Sequence, residues 1–173
     1  MMIETERLII RKMNVLDYND LCKIIQDKDV MYAYEGPYND EQAKSWLLNQ
    51  IERQKVEGFG LNSVILKETG KMIGQCGLTM QCWRDDKLLE IGYLFQKAYW
   101  HKGYATEAAI ACKEYAFNVL GADKVHSIIR DTNIASQNVA KRNGMHIIDK
   151  WTKHFRNVDM PHFLFCVEND KKN

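Results

Sequence analysis

The chain has 173 residues, with 24 Lys and Arg against 23 Asp and Glu, for a formal net charge of +1. That length suits one domain with its own core and is short for two. Its 46% hydrophobic and 27% charged residues exclude wholesale disorder, the balanced charge argues against a general nucleic-acid partner, and no apolar run nears the ~20 residues of a membrane span.

Arg7 to Lys12 reads as a first strand, with Leu8, Ile9 and Ile10 β-prone. Asp17 to Gln26 carries Leu21, Ile24 and Ile25 at helical spacing. An aromatic, acidic loop follows, from Tyr32 to Tyr38. Asn39 is a good N-cap with Asp40 and Glu41 behind it. The helix it opens runs to about Glu57, and Gly58 stops it. Phe59 to Lys67 and Lys71 to Trp83 flank Glu68-Thr69-Gly70, a hairpin signal. Leu88 to Phe95 is a third consecutive strand. Its alternation puts Leu89, Ile91, Tyr93 and Phe95 on one face and Leu88, Glu90, Gly92 and Leu94 on the other. Gly103 to Leu120 is a helix, with Ala105, Ala108, Ala109, Cys112 and Ala116 at helical spacing and Gly121 after it. Lys124 to Arg130 is a strand and Ser136 to Asn143 a short helix. Two strands close the chain, Met145 to His154 and His162 to Val167. Consecutive strands followed by alternating helix and strand predict a mixed α/β sheet with helices on both faces, in one domain spanning 1–173.

The five cysteines (Cys22, Cys76, Cys82, Cys112, Cys166) are odd in number and widely spaced. No pair has the spacing of a zinc or redox motif. They read as buried thiols in a reducing compartment. The histidines show no metal-ligand spacing, so no metal is expected. The acidic start, Met1 to Arg7, lacks the apolar core of a signal peptide. A cytoplasmic location is the expectation.

Two segments carry chemistry. In Tyr99-Trp100-His101-Lys102-Gly103-Tyr104-Ala105-Thr106-Glu107-Ala108, a turn with one glycine leads into a helix start. Unpaired N–H groups and the helix dipole there can cradle an anion such as phosphate, or simply begin a helix. It is neither a P-loop nor a dinucleotide fingerprint. The second, Asp131 to Met145, puts Asn133 and Ser136 at a strand end and helix start, where α/β ligands bind or where a cap is needed.

Together these segments resemble the GCN5-related N-acetyltransferase superfamily, and more narrowly its RimJ/RimL-type branch. Thr5-Glu6-Arg7-Leu8-Ile9-Ile10-Arg11 is similar to the branch's opening strand. Glu90-Ile91-Gly92-Tyr93 is similar to its central strand. Residues 99–108 are similar to the acetyl-CoA pyrophosphate loop, and Asn133 to Gly144 to the final CoA-side helix. The resemblance implies a single mixed, mostly antiparallel sheet of about six to seven strands flanked by about four helices. It implies acetyl transfer from acetyl-CoA to a primary amine, either a protein N-terminus or a small molecule. The CoA side would be Tyr93, Leu94, Phe95, His101, Lys102, Gly103, Tyr104, Ala105, Thr106, Asn133 and Ser136. There are departures. Trp100 stands where the superfamily loop usually begins with Gln or Arg, and His101 holds a position often taken by Gly. Ala140 stands where many members carry a Tyr that protonates the departing thiolate.

Under that resemblance Glu90 is the candidate general base. It sits among apolar residues, where burial raises a carboxylate. Ser136 is the candidate proton donor to the thiolate. Tyr32, Tyr34, Glu35 and Tyr38 form the expected substrate wall, since aromatics with a carboxylate suit a cationic amine. His162, at the start of the last strand, is a further candidate to face the acceptor. Two other readings stay open: a CoA-binding module without catalysis, and a ribosome-associated protein. The latter would use a basic patch of Arg130, Lys141, Arg142, Lys150, Lys153 and Arg156. No coiled-coil seam is visible, and monomer and homodimer both remain open.

Overall fold

The computed structural model describes residues 2–34, 36–155 and 158–170. The strands are β1 (Met2–Glu4), β2 (Leu8–Arg11), β3 (Leu61–Leu66), β4 (Lys71–Trp83), β5 (Asp86–Phe95), β6 (Lys124–Arg130), β7 (His146–Phe155) and β8 (Val158–Glu168). The helices are α1 (Tyr18–Ile25), α2 (Asp40–Val56), α3 (Tyr104–Asn118) and α4 (Ile134–Arg142). The strands form one eight-stranded sheet in the order β1-β2-β3-β4-β5-β6-β8-β7. Every neighbouring pair is antiparallel except β5 and β6, which are parallel.

The sheet separates two cores. Against one face pack Ala108, Ala109, Cys112 and Ala116 of α3 and Val139 and Ala140 of α4, over Leu8, Ile73, Ile91 and Phe165. Small residues on α3 let it lie close to the strands. Against the other face pack Leu21, Ile24 and Ile25 of α1 and Ala43 and Leu47 of α2, over Leu61, Ile65 and Met72. The alternation of β5 follows this division. Leu89, Ile91, Tyr93 and Phe95 join the α3 core, and Leu94 joins the α1–α2 core. Met72 to Thr79 of β4 are all buried, as a central strand covered on both faces requires. Gly77 has no room for a side chain, because a Cβ there would lie 2.0 Å from the Gly60 carbonyl oxygen.

The helix starts follow from local chemistry. Asn39 accepts the Gln42 N–H and Gln42 returns a bond to Asn39, both at 2.9 Å. Asn14 and Asp17 make a similar box one turn before α1. α4 begins two residues earlier than the sequence suggests, because the Asn133 side chain caps it through the Ser136 N–H. β1 is an eighth strand beyond the six or seven expected. Three residues are too few for a periodic signal, and β1 exists through its pairing with β2. β8 extends back through Pro161 to Val158.

The cysteines divide. Cys76, Cys112 and Cys166 are buried, but Cys22 is half-buried and Cys82 exposed, so the expectation of five buried thiols is corrected. The outward side of β4 near its end leaves Cys82 uncovered. No helix among the described residues is long and apolar enough to cross a membrane.

Candidate active site

β5 and β6 meet at one register position, Glu90 opposite His126. Beyond it they part, while β5 stays paired with β4 as far as Phe95. Side chains bridge the gap. The Ser127 hydroxyl donates to the Ile91 carbonyl at 2.9 Å. The Ile128 N–H donates to the Glu90 carboxylate at 3.0 Å. Further along, the Tyr93 hydroxyl donates to the Ser136 carbonyl at 3.0 Å, tying β5 to the start of α4.

A cavity of about 440 Å³ opens at this parting, lined among others by Tyr93, Phe95, Gly103, Thr106, Asn133 and Ser136. The loop before α3 forms its floor. His101 (φ 60) and Gly103 (φ 82) are both left-handed. The helix ladder begins with the Glu107 N–H on the Gly103 carbonyl at 3.0 Å. The N–H groups of Tyr104, Ala105 and Thr106 therefore lie outside it, at the positive end of the dipole. His101 explains the frequent Gly at its position: the backbone there is left-handed, which an L side chain adopts at a cost of about 1 kcal/mol.

A network that sequence reasoning missed holds this loop. Glu107 accepts from the Thr5 hydroxyl (2.6 Å), the Arg7 N–H (2.9 Å) and the Arg7 Nε (2.7 Å). The Arg7 guanidinium also donates to the Lys102 carbonyl at 3.0 Å and lies 4.5 Å from the centre of the Tyr104 ring. Burial works to raise the Glu107 carboxyl, but the bonds from Thr5 and Arg7 outweigh it and hold the group below its ordinary value. The Thr-Glu-Arg motif was visible as a landmark. Its partner stood 100 residues away, and nothing local marked the pairing. Trp100 is likewise structural: its indole N–H donates to the Phe95 carbonyl at 2.9 Å.

On the α1–α2 side of the gap stands Glu90. Burial pushes its carboxyl up to about 7, against the lowering effect of the Ile128 N–H, Lys153, Thr79 and Arg53. Tyr34, of the expected wall, is 47% exposed and is not among the residues lining the cavity, and desolvation raises its hydroxyl. Burial also raises the Tyr93 hydroxyl, which the Ser136 side chain beside it partly offsets. Tyr32 lines the cavity. Tyr38 packs edge-on against Trp46, ring centres 5.7 Å apart, and joins the α1–α2 core. Glu35 lies outside the described residues. Leu94, His101, Tyr104 and Ala105 line the cavity. Lys102 is exposed, with its ammonium 5.4 Å from the Tyr99 ring centre. Ala140 is buried in the α3 core and is not among the residues that line the cavity.

The basic residues considered as a patch have different surroundings. Lys150 sits over the Phe163 ring, Lys153 is half-buried near Trp83 and Trp151, Arg142 lines the cavity, and Arg156 lies outside the described residues. Cross-strand pairing places Arg130 opposite His162. The His162 Nδ1 bonds the Met160 carbonyl at 2.8 Å, so that nitrogen carries the proton and Nε2 is left as an acceptor.

The sheet thus parts between two parallel strands, with a helix N-terminus on one side of the gap and the half-buried Glu90 carboxylate on the other. The model of the acetyltransferase (GNAT) domain matches residues 7–146, and the chain belongs to this family. It is 37% identical over 155 residues to the uncharacterized protein YkkB of Bacillus subtilis (strain 168), covering 86% of this chain and 89% of YkkB. It is 33% identical to the uncharacterized N-acetyltransferase YnaD of the same organism, covering 84% and 82%. Among solved structures it resembles a GNAT-family acetyltransferase from Bacillus anthracis, with TM-score 0.86 and 24% identity over 97% of this chain and 98% of that one. It shares the fold of RimL, a ribosomal L7/L12 α-N-protein acetyltransferase in complex with coenzyme A. There the TM-score is 0.78 and the identity 14%, over 98% and 99% of the two chains.

Proposed function

We propose that the chain is a single-domain, cytoplasmic, acetyl-CoA-dependent N-acetyltransferase. It acts on a primary amine of a protein N-terminus or a small molecule. The observation that carries this reading is the parting of β5 and β6 just past Glu90, beside the cavity that the left-handed loop lines. The free N–H groups of Tyr104, Ala105 and Thr106 suit a diphosphate, with oriented backbone supplying what a net charge of +1 does not. Bound there, acetyl-CoA supplies an electrophilic thioester. Glu90, held near neutrality, takes the proton that an ammonium must lose before it can attack. The β6-facing edge of β5 at Tyr93, Leu94 and Phe95 presents backbone groups to the reacting end, apart from the Phe95 carbonyl that Trp100 already occupies. Ser136, with the Tyr93 hydroxyl beside it, stands where a proton can be returned to the departing sulfur.

Thermal unfolding with CoA and with acetyl-CoA tests the binding half of this reading, and thiol release from acetyl-CoA across an amine panel tests the chemistry. A melting temperature that rises with either ligand is expected by linkage, together with amine-dependent thiol release. No shift at millimolar ligand would overturn the CoA assignment. A shift without thiol release from any amine would leave a CoA-binding module.

A further inference from the structure

A second cavity, of about 840 Å³, adjoins the loop before α3. His101, Gly103, Thr106 and Arg142 line it, and the same four line the first cavity. The two therefore meet at the left-handed loop, where the free N–H groups begin α3. The remaining wall of the second cavity is of another kind. Ile110, 37% exposed, and Ala111 give it apolar surface from α3, and Thr5, Arg7 and Glu107 of the clamp also border it. A diphosphate at the loop has two substituents, so a ligand held there continues in both directions. In CoA one of them is the pantetheine arm, which carries the thioester toward the parting of β5 and β6. The other is an adenosine with a phosphomonoester on its ribose 3′ oxygen. The second cavity adjoins the loop where that end must continue.

The cations around the loop are not equivalent. Arg7 is committed to Glu107 and to the Lys102 carbonyl. Lys102 lines neither cavity, and its ammonium stands over the Tyr99 ring. Lys141 lines neither cavity as well. Arg142 lines both and is exposed, and its guanidinium forms no hydrogen bond or ion pair among the described residues. Its place is fixed from the next residue. The buried Asn143 side-chain amide donates to the Ala109 carbonyl at 3.3 Å, and the Lys113 ammonium donates to the Asn143 carbonyl at 3.2 Å. These bonds tie the end of α4 to α3. The negative end of the α4 dipole would favour any basic residue there. It does not account for a side chain that lines both cavities. A guanidinium fork matches the oxygens of a phosphate, and the 3′-phosphate of CoA lies only a few bonds from its diphosphate.

We propose that the second cavity takes the nucleotide end of CoA and that Arg142 receives the ribose 3′-phosphate, so that the protein binds CoA in preference to its 3′-dephospho form. The inference rests on the CoA-binding reading above and deepens it. Arg142 is on this account a residue that selects the cosubstrate, with no contact to the thioester or the acceptor amine.

The test compares ligands that differ only in the 3′-phosphate, by calorimetric titration into the whole protein. One pair is CoA and 3′-dephospho-CoA. The other is ADP with and without a 3′-phosphate, which lacks the pantetheine arm and so reads the nucleotide end alone. The wild-type protein is expected to bind the 3′-phosphorylated member of each pair about tenfold more tightly or better. Arg142→Gln should bring the two members to the same affinity by weakening the phosphorylated one only. Arg142→Lys should keep part of the preference, as a point charge in place of a fork. The 3′-dephospho ligands serve as the control for folding, because their binding should be the same in all three proteins. Equal binding of both members of each pair by the wild-type protein would overturn the proposal. So would a preference that survives in Arg142→Gln. Failure of CoA and 3′-dephospho-CoA alike to bind would instead overturn the CoA reading, and this proposal with it.

Discussion

Glu90 is costly to the fold in the state its proposed chemistry requires. Its carboxyl is pushed up to about 7 by burial, whereas in the unfolded chain it titrates near the ordinary value of about 4.3. Between those values the folded protein holds the extra proton, so stability falls as pH rises through that window. The loss by pH 8 is of the order of 3 kcal/mol. Glu90→Gln should abolish this fall, which urea midpoints at pH 5 and pH 8 for both proteins would show. The same variant should lower kcat by about a hundredfold or more and remove the pH-rate limb near 7, while leaving the CoA-induced thermal shift intact. A variant with wild-type turnover would exclude Glu90 as the base. Three residues further along β5, on the other face, Tyr93→Phe removes the hydroxyl bonded at Ser136. A reduced kcat with unchanged acetyl-CoA KM is expected if that hydroxyl helps protonate the thiolate. Equal kcat values would leave Ser136 to act without it.

Between elements, the clamp from the β1–β2 turn to α3 sets the loop geometry. Arg7→Ala removes the guanidinium bonds to Glu107 and Lys102 and should cost about 2 kcal/mol, as for hydrogen bonds to a charged group. It should also raise the acetyl-CoA KM about tenfold with little change in kcat, since the loop would no longer be held ready for a diphosphate. A raised KM without altered stability would assign Arg7 to ligand contact instead. Glu107 and Asp17 share a pH signature. Burial opposes the charge of each, and their hydrogen bonds outweigh it: from Thr5 and Arg7 for Glu107, from Arg11, Asn14 and Ser63 for Asp17. Both therefore stabilise the fold above the ordinary carboxylate range, and both lose that contribution as pH falls through it. Most elements were legible because periodicity and caps are local. The faces of β5, the Asn39 cap and the Gly103 turn were all readable from neighbours within a few residues. The Arg7–Glu107 clamp and the Arg130 environment were not. Each depends on partners brought together from distant segments, and a charged residue in sequence looks the same whether it will be solvated or buried.

Across the whole molecule the sheet is continuous in order but nearly severed at one place, and the cavity occupies that place. Everything beyond β6 is joined to the rest by one parallel register pair, by side-chain bridges and by the packing of α3 and α4. A ligand spanning the gap would couple the halves. Amide hydrogen exchange in β6 and in the start of α4 should slow when CoA is added, more than exchange in β3, which is already paired on both sides. Uniform slowing across all strands would argue against such coupling. The severed seam has a second consequence. Parted strands expose unpaired backbone, and an exposed edge invites another chain to add to it. Here the parted edge lies inside the sheet, between β5 and β6, and is tied to the start of α4 by the Tyr93–Ser136 bond. A strand edge opened within a sheet in this way is not offered as a template for aggregation.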